Sequence, residues 1–390
     1  MADAKAAAAS AADDVVMPAV EGFTPELLPD KDRVYYNDYS TLVQQQGMLQ
    51  DHVRTSLYQF SMLENVSDFA GKTVLDVGAG TGILSFFAAK AGAARVYAIE
   101  ASGMALKAEK LVKGNDLDNI IKVVNQKVEE VTLDERVDVL VSEPLGIALV
   151  NERMLESYLR ARDALLKPGG KMFPDRATLY AAPFSDDALY QEQYQKAAFW
   201  TQPDFFGVDL NPLREDALTF YYSQPVVGPV APHTIVAPAT GKLFDFTSMS
   251  LEQLQRFEIP LNFTISAIIP VHGVCLWFDC NFPGISRNVV LGTSPSEPLT
   301  HWYQVRCMLR SPLALGVGHT LKGTLLFEAN ESRGYNIHMT LINANTGVKL
   351  ANTVVSQCAL HHFQYTTQQT ASTYYSPTSA SPSVSVASVE

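Results

Sequence analysis

The chain predicts an α/β fold in two parts: a doubly wound parallel sheet with flanking helices, then an antiparallel β-barrel or sandwich carrying an inserted helical arm. Three observations carry this prediction. Up to Phe173-Pro174, apolar strand-like runs alternate with helical patterns. Beyond that point short alternating runs separated by turn signals take over. One stretch, residues 187–222, breaks the second pattern with two amphipathic helices around an aromatic turn.

In chain order, residues 1–30 read as an Ala/Asp-rich disordered leader, and residues 31–173 hold N-terminal helices and the parallel-sheet unit. Within it Thr73–Val77, Arg95–Ile99, Ile120–Val124 and Val137–Val141 are strands, and Ile83–Ala91 and Met104–Lys113 are helices. Lys167-Pro168-Gly169-Gly170-Lys171 is a tight turn leading to a strand at Met172–Phe173. Residues 174–365 form the β unit, with strands at Leu261–Ile269, Gly273–Phe278 and Leu321–Phe327. In the arm, Asp187–Trp200 and Leu213–Tyr222 flank Pro203-Asp204-Phe205-Phe206-Gly207, a shape suited to packing on a second subunit or back on its own barrel. Residues 366–390, rich in Ser, Thr, Ala, Val and Pro, read as a flexible tail.

With 390 residues, 47% hydrophobic and 18% charged, the chain reads as a soluble globular protein with room for two cores. No apolar run reaches membrane-span length, and the N-terminus lacks a signal peptide's basic start and apolar centre. A net charge of −12 argues against coating nucleic acid and suits basic peptides. Cys275, Cys280, Cys307 and Cys358 lack metal-ligand spacing and read as reduced, mostly buried thiols of an intracellular protein. Cys358 with His361 and His362 makes a poor zinc site, so no metal is expected.

The segment Asp76-Val77-Gly78-Ala79-Gly80-Thr81-Gly82-Ile83 follows a strand and opens a helix. A P-loop would need a Gly-Lys-Ser/Thr ending, and the dinucleotide fingerprint would need glycine where Ile83 stands. Asp76 would repel a pyrophosphate, so a ligand without phosphates and with a positive centre fits better, as S-adenosylmethionine does. Glu100, ending the second strand, suits both ribose hydroxyls, which makes this a Rossmann-like S-adenosylmethionine unit. Further on, Glu143 and Glu152 flank a loop containing Pro144 and Gly146. Folded back, the loop would aim two carboxylates into one cavity, a site for a planar guanidinium. Alternatively both are solvated loop acids.

The motifs Asp-Val-Gly-Ala-Gly-Thr-Gly-Ile-Leu-Ser, Ile-Glu-Ala-Ser, Ser-Glu-Pro-Leu-Gly, Asn-Glu-Arg-Met-Leu-Glu-Ser-Tyr and Thr300-His301-Trp302 occur in this order. Together they resemble the protein arginine methyltransferases. Pro144, the run Asn151–Tyr158 and Glu297–Cys307 resemble the type 4, coactivator-associated branch in particular. The resemblance covers about Tyr35 to residue 340.

It implies that Tyr35–Tyr39 is the N-terminal helix motif that closes over the cofactor. Gln45 and Arg54 would face the donor, with Arg54 pairing its carboxylate; Glu100 would hold the ribose, and Glu129 and Ser157 the adenine. Tyr39, Met48, Asp76, Gly78, Gly80, Ala101, Val128 and Glu143 complete the implied cofactor set. Tyr39, Asn151, Met154, Trp302 and Tyr303 make the implied substrate contacts. Without the resemblance, Arg54, Glu129 and Ser157 would read as a surface ion pair, a solvated acid and a hydroxyl bonded to its own helix.

Glu143 and Glu152 would hold and polarise the guanidinium during an in-line transfer, and His301 with Asp51 would accept the proton. The implied function is type I arginine methylation of the histone H3 tail and other nuclear proteins. The implied products are mono- and asymmetric dimethylarginine and S-adenosylhomocysteine. A homodimer located in nucleus and cytoplasm is also implied, without nucleic-acid or membrane binding. Two departures stand out: Ile147 replaces a usual tyrosine of the acidic loop, and His52 replaces a usual tyrosine near the proton path. Only some thirty residues precede the catalytic region, so recruitment through the N-terminal domain of animal members would be lost. The departures motivate an alternative, a catalytically weak scaffold for transcriptional partners. A third, a small-molecule methyltransferase, is opposed by the paired glutamates and Thr-His-Trp.

Overall fold

The structure, a computed structural model, describes residues 31–357 and 364–365. The expected leader 1–30, the trio Cys358, His361 and His362, and the expected tail 366–390 lie outside the described residues. Helices α1 (Lys31–Tyr39), α2 (Leu42–Gln50), α3 (His52–Leu63) and α4 (Val66–Phe69) precede β1 (Thr73–Val77), α5 (Ile83–Lys90) and β2 (Arg95–Ile99). Then come α6 (Ala105–Gly114), β3 (Ile121–Val124), β4 (Val137–Ser142), α7 (Met154–Leu165) and β5 (Leu166–Phe173).

The five strands form a parallel sheet of order β3-β2-β1-β4-β5. Its central strands are largely buried on both faces, which is why they read as mostly apolar runs. The chain steps outward from β1 through β2 to β3, then returns to the other side of β1 with β4. That reversal opens a crevice at the carboxyl ends of β1 and β4, where doubly wound folds bind ligands. The turn expected at Lys167–Lys171 is instead part of β5, a bulge where pairing jumps from Val137↔Leu166 to Val139↔Lys171.

The second part holds β6 (Arg176–Phe184), α8 (Asp187–Ala198), α9 (Arg214–Tyr222), β7 (Val226–Gly228), β8 (Thr240–Asp245) and α10 (Leu251–Gln255). It continues through β9 (Arg256–Thr264), β10 (Ile269–Phe282), β11 (Val289–Gly292), β12 (Gln304–Leu315), β13 (Thr320–Ala329), β14 (Tyr335–Asn343), β15 (Lys349–Val355) and β16 (Gln364–Tyr365). One sheet runs β16-β7-β12-β10-β6-β8, with β11 also on β10, and the other runs β15-β14-β13-β9. All pairs are antiparallel apart from β16 with β7.

The run Leu261–Ile269 spans two strands. Strand β9 begins earlier, alternating buried apolar and exposed residues from Arg256, and ends at Thr264 before a turn that exposes Ile268. Helices α8 and α9 lie between β6 and β7, and Leu189 and Tyr222 pack with Phe184 and Val226 of the sheet in a small core of their own. A single larger core runs from Leu75 and Tyr158 of the parallel-sheet side to Phe278, Trp302 and Phe327 of the other. The two parts are therefore packed on one another, and the loops between them have fixed positions. Cys275, Cys280 and Cys307 are buried free thiols.

Candidate active site

One cavity lies across the carboxyl ends of the parallel strands, covered by α1 and α2 and closed on one side by His301 and Trp302. The loops that follow β3, β2, β1 and β4 bring Val128 and Glu129, Glu100 and Ala101, Gly78 and Gly80, and Glu143 into its wall in that order across the sheet. Tyr39, Gln45, Met48, Arg54, Glu152, Met154 and Ser157 also line it.

After β1 the chain turns with Gly78 at φ +68°, and a Cβ on Gly78 would come within 2.5 Å of Met154 Cε. Glycine takes this positive φ without the penalty of a Cβ. The Gly80 amide donates to Glu100 Oε2 at 2.8 Å, and the Ser102 amide donates to Oε1 at 2.7 Å. Each oxygen keeps a second lone pair for a ligand hydroxyl. Ser157 Oγ donates to Glu129 Oε1 at 2.7 Å, so the hydroxyl serves the neighbouring acid and not its own helix. A glycine cradle between carboxylates fits a nucleoside carrying hydroxyls, an amine and positive charge.

The acidic loop is fixed from several sides. Gly146 packs so closely on the Asn151 carbonyl that a Cβ would overlap it, and its amide donates to Leu149 O at 2.9 Å. Trp302 Nε1 donates to Leu145 O at 2.9 Å, and the Tyr58 hydroxyl donates to Ser142 O at 3.0 Å. Four non-glycine residues of the loop take left-handed backbone: Ala148 (φ +50°), Leu149 (+68°), Glu152 (+70°) and Arg153 (+58°). Strain of this kind persists only where the surroundings enforce it.

Both glutamates reach the cavity. Arg54 donates from Nε at 3.1 Å and Nη2 at 2.9 Å to Glu143 Oε2, and the Leu145 amide donates to Oε1 at 3.0 Å. Arg54 is buried, and although burial opposes its charge, Glu143 holds the guanidinium above its ordinary value. The Tyr39 hydroxyl donates to Glu152 Oε2 at 2.6 Å. Loss of solvent pushes Glu152 up to about 7, with Glu143 adding to the rise and the Tyr39 hydroxyl opposing it. Burial, then Glu152, raises the Tyr39 phenol, which therefore remains a donor.

Asp51 caps α3 through the Arg54 amide at 2.9 Å and accepts from the His301 amide at 2.9 Å, with His301 Nδ1 at 2.7 Å. Burial disfavours its charge, but the His301 ring and these amides outweigh burial and hold the carboxyl below the ordinary range.

Several expected residues lie off the cavity wall or have partners within the protein. Asp76 does not reach the cavity: it lies fully buried beneath the loop, accepting from Ser85 Oγ at 2.7 Å, and burial pushes it up to about 7. Asn151 is turned away, donating to Gln357 O at 3.3 Å, and Tyr303 is likewise outside the wall. Arg54 pairs with Glu143 inside the cavity and not with a surface partner. His52 is exposed and outside the wall, whereas Ile147 is buried within it. Tyr35 and Tyr36, quoted above only as part of a helix motif, both line the cavity, and Lys127 lies 5.3 Å from the Tyr36 ring centroid. Arg333, which no motif contains, donates from Nε to the Glu152 carbonyl at 3.2 Å.

Residues 175–344 match the family model described as the arginine methyltransferase oligomerization subdomain, and residues 51–172 match that of ribosomal protein L11 methyltransferase (PrmA). A probable histone-arginine methyltransferase CARM1 of Oryza sativa subsp. indica is 51% identical over 310 residues, 79% of this chain and 59% of the relative. The histone-arginine methyltransferase CARMER of Drosophila persimilis is 49% identical over 320 residues, 82% of this chain and 60% of the relative. This chain thus spans about 60% of the length of the curated relatives it matches. Among solved structures, the Trypanosoma brucei PRMT1 enzyme-prozyme heterotetrameric complex with AdoHcy is similar at TM-score 0.75 and 32% identity, covering 82% of this chain and 100% of that one. Arabidopsis thaliana protein arginine methyltransferase 10 is similar at TM-score 0.75 and 31% identity, covering 83% of this chain and 100% of that one. Likeness in sequence and fold along the whole of both solved chains shows that this chain belongs to the protein arginine methyltransferase family.

Proposed function

We propose that the protein transfers methyl groups from S-adenosylmethionine to arginine guanidinium nitrogens of proteins, the histone H3 tail among them, giving mono- and asymmetric dimethylarginine. The observation that carries this reading is the pair Glu143 and Glu152 in one cavity wall with the glycine loop.

Glu100 would hold the ribose of the methyl donor, Glu129 with Ser157 and Val128 the adenine, and Gln45, Met48, Gly78, Gly80 and Ala101 the faces between. Arg54, tied to Glu143 through Nε and Nη2, directs only a long 3.5 Å contact from Nη1 to Met48 O, which leaves Nη1 for a carboxylate of the donor. When bound, the donor supplies an electrophilic methyl on a positively charged sulfur.

A guanidinium is a poor nucleophile because its lone pairs are delocalised and its pKa forbids prior deprotonation. Ionised Glu152, oriented by Tyr39, would bind one edge of the substrate guanidinium, and Glu143 would draw charge from the same group. The two carboxylates fix its plane and stabilise positive charge away from the attacking nitrogen. Tyr39, Met154 and Trp302 would bound the arginine side chain. An ionised Asp51 would accept Nδ1–H from His301, which would leave Nε2 to accept the product's proton. With a side chain 34% exposed, it can release that proton to solvent.

The arm supports a homodimer: Phe206 is 94% exposed at its tip, and Phe199 and Phe220 are also exposed. Histone substrates imply work in the nucleus, with a cytoplasmic pool proposed alongside. Among the described residues no helix is long and apolar enough to cross a membrane. Incubation with isotope-labelled donor and an H3-tail peptide, followed by mass spectrometry, tests the reading. Asymmetric dimethylarginine supports it, and donor binding without turnover on any arginine peptide overturns it.

A further inference from the structure

The strained acidic loop is gripped by a hairpin of the antiparallel part. Between β13 and β14 lies the turn Asn330–Gly334, closed by the Asn330 amide donating to Gly334 O at 2.9 Å. Arg153 Nη1 donates to Asn330 O at 2.8 Å, and Arg333 Nε donates to Glu152 O at 3.2 Å. The hairpin therefore holds the two adjacent residues, Glu152 and Arg153, that carry left-handed backbone without being glycine. Arg333 itself sits at φ +55°.

The Arg333 guanidinium also lies 4.2 Å from the centroid of the Tyr35 ring on α1. Tyr35 packs on Tyr39 with ring centroids 4.8 Å apart, and Tyr39 donates to the Glu152 carboxylate. These contacts close a circuit from the hairpin to the Glu152 main chain, to its carboxylate, to α1 and back to the hairpin. We propose that Arg333 is a positioning residue that locks the α1 cover and the Glu152 carboxylate into one unit, so that covering the cavity and aiming the acid occur together.

The kinetic part of this proposal rests on the methyl-transfer reading; the tether does not. Glu152 faces Tyr35 and Tyr39 from α1, Glu143 from the loop after β4, and Arg333 from the hairpin. Arg54 of α3 is engaged with Glu143, and Arg153 with Glu156 at 2.6 Å. Arg333 is thus a cation that favours the ionised form of Glu152. Arginine suits the post because its planar guanidinium stacks on a ring while Nε still donates. Lysine keeps the charge but loses both geometric features.

The test compares wild type, Arg333→Gln and Arg333→Lys. Hydrogen–deuterium exchange on the ligand-free protein should show faster exchange in 31–39 and 148–153 for both variants. In Arg333→Gln, kcat should fall about 10- to 100-fold, the cost of a misaimed group. The acid limb of kcat/KM should move up by about one pH unit with the charge removed. Arg333→Lys should return the limb toward wild type without restoring kcat. Unchanged exchange in both segments, or a uniform loss of activity with an unmoved limb and a lowered melting temperature, overturns the proposal. An inactive wild type sinks the methyl-transfer reading instead, and the exchange arm still decides the tether.

Discussion

Replacing Tyr39 by phenylalanine removes one hydroxyl and leaves its ring against Tyr35. That hydroxyl donates at 2.6 Å to Glu152, whose carboxyl already sits at about 7 because it is withdrawn from solvent. A hydrogen bond to a charged group contributes about 1.5–3 kcal/mol, and 1.36 kcal/mol corresponds to one pKa unit. The variant's Glu152 should therefore titrate about 1–2 units higher. The proposed methyl transfer would need the ionised carboxylate, so at pH 7.5 the competent fraction should fall from roughly three quarters to about a tenth, with recovery near pH 9.5. The assay is kcat/KM from pH 6 to 10 with labelled donor and an arginine peptide. A loss independent of pH would refute the argument, because it would mean that Tyr39 acts through contact alone. No loss at any pH would refute it equally.

Glu152→Gln should lose about 100- to 1,000-fold in turnover while binding S-adenosylhomocysteine normally by calorimetry; retention of more than about a tenth of turnover would remove Glu152 from its role. Gly78→Ala forces a side chain into φ +68° and against Met154, a penalty of roughly 1–2 kcal/mol from the backbone alone. S-adenosylhomocysteine affinity should drop at least about 10-fold, and unchanged affinity would show that the loop does not approach the ligand. Phe206→Asp at the arm tip should convert a dimer into monomer by light scattering at low micromolar concentration; a persisting dimer would move the interface elsewhere. Asp76 is raised in the fold to about 7 from 3.8. Its contribution to stability is full below the unfolded value and is lost as pH rises to the folded one, at most about 4 kcal/mol. Melting temperatures of wild type should fall more steeply than those of Asp76→Asn between pH 4 and 7, and parallel curves would mean that Asp76 does not titrate there.

Legibility in the sequence followed burial. Strands Thr73–Val77 and Arg95–Ile99 lie inside a sheet covered on both faces, so short, mostly apolar runs mark them, with Asp76 the one acid inside the first. Strand β9 was harder because Arg256, Glu258 and Asn262 face outward and dilute its pattern, while exposed Ile268 prolongs the apolar run past the true turn. Motif order located the site loops, but a motif fixes position along the chain and not the direction of a side chain. Asp76 and Val77 are adjacent in one strand and their side chains leave opposite faces. Val77 lines the cavity and Asp76 is sealed beneath it with Ser85.

The acidic loop shows why the remainder could not be read. Its geometry depends on left-handed backbone at Ala148, Leu149, Glu152 and Arg153, four residue types that give no sign of it. Each such residue costs on the order of 1–3 kcal/mol, so an isolated loop of this sequence would relax. What holds it comes from far along the chain: Trp302 on the Leu145 carbonyl, Asn330 on Arg153 and Arg333 on Glu152. Two carboxylates drawn together also repel, and the folded protein answers with Arg54 on one and the Tyr39 hydroxyl on the other. The antiparallel part is thus a condition of the chemistry and not only a neighbour of it. Without that part the glutamates would have the same sequence and the same strand before them, and no reason to converge on one cavity.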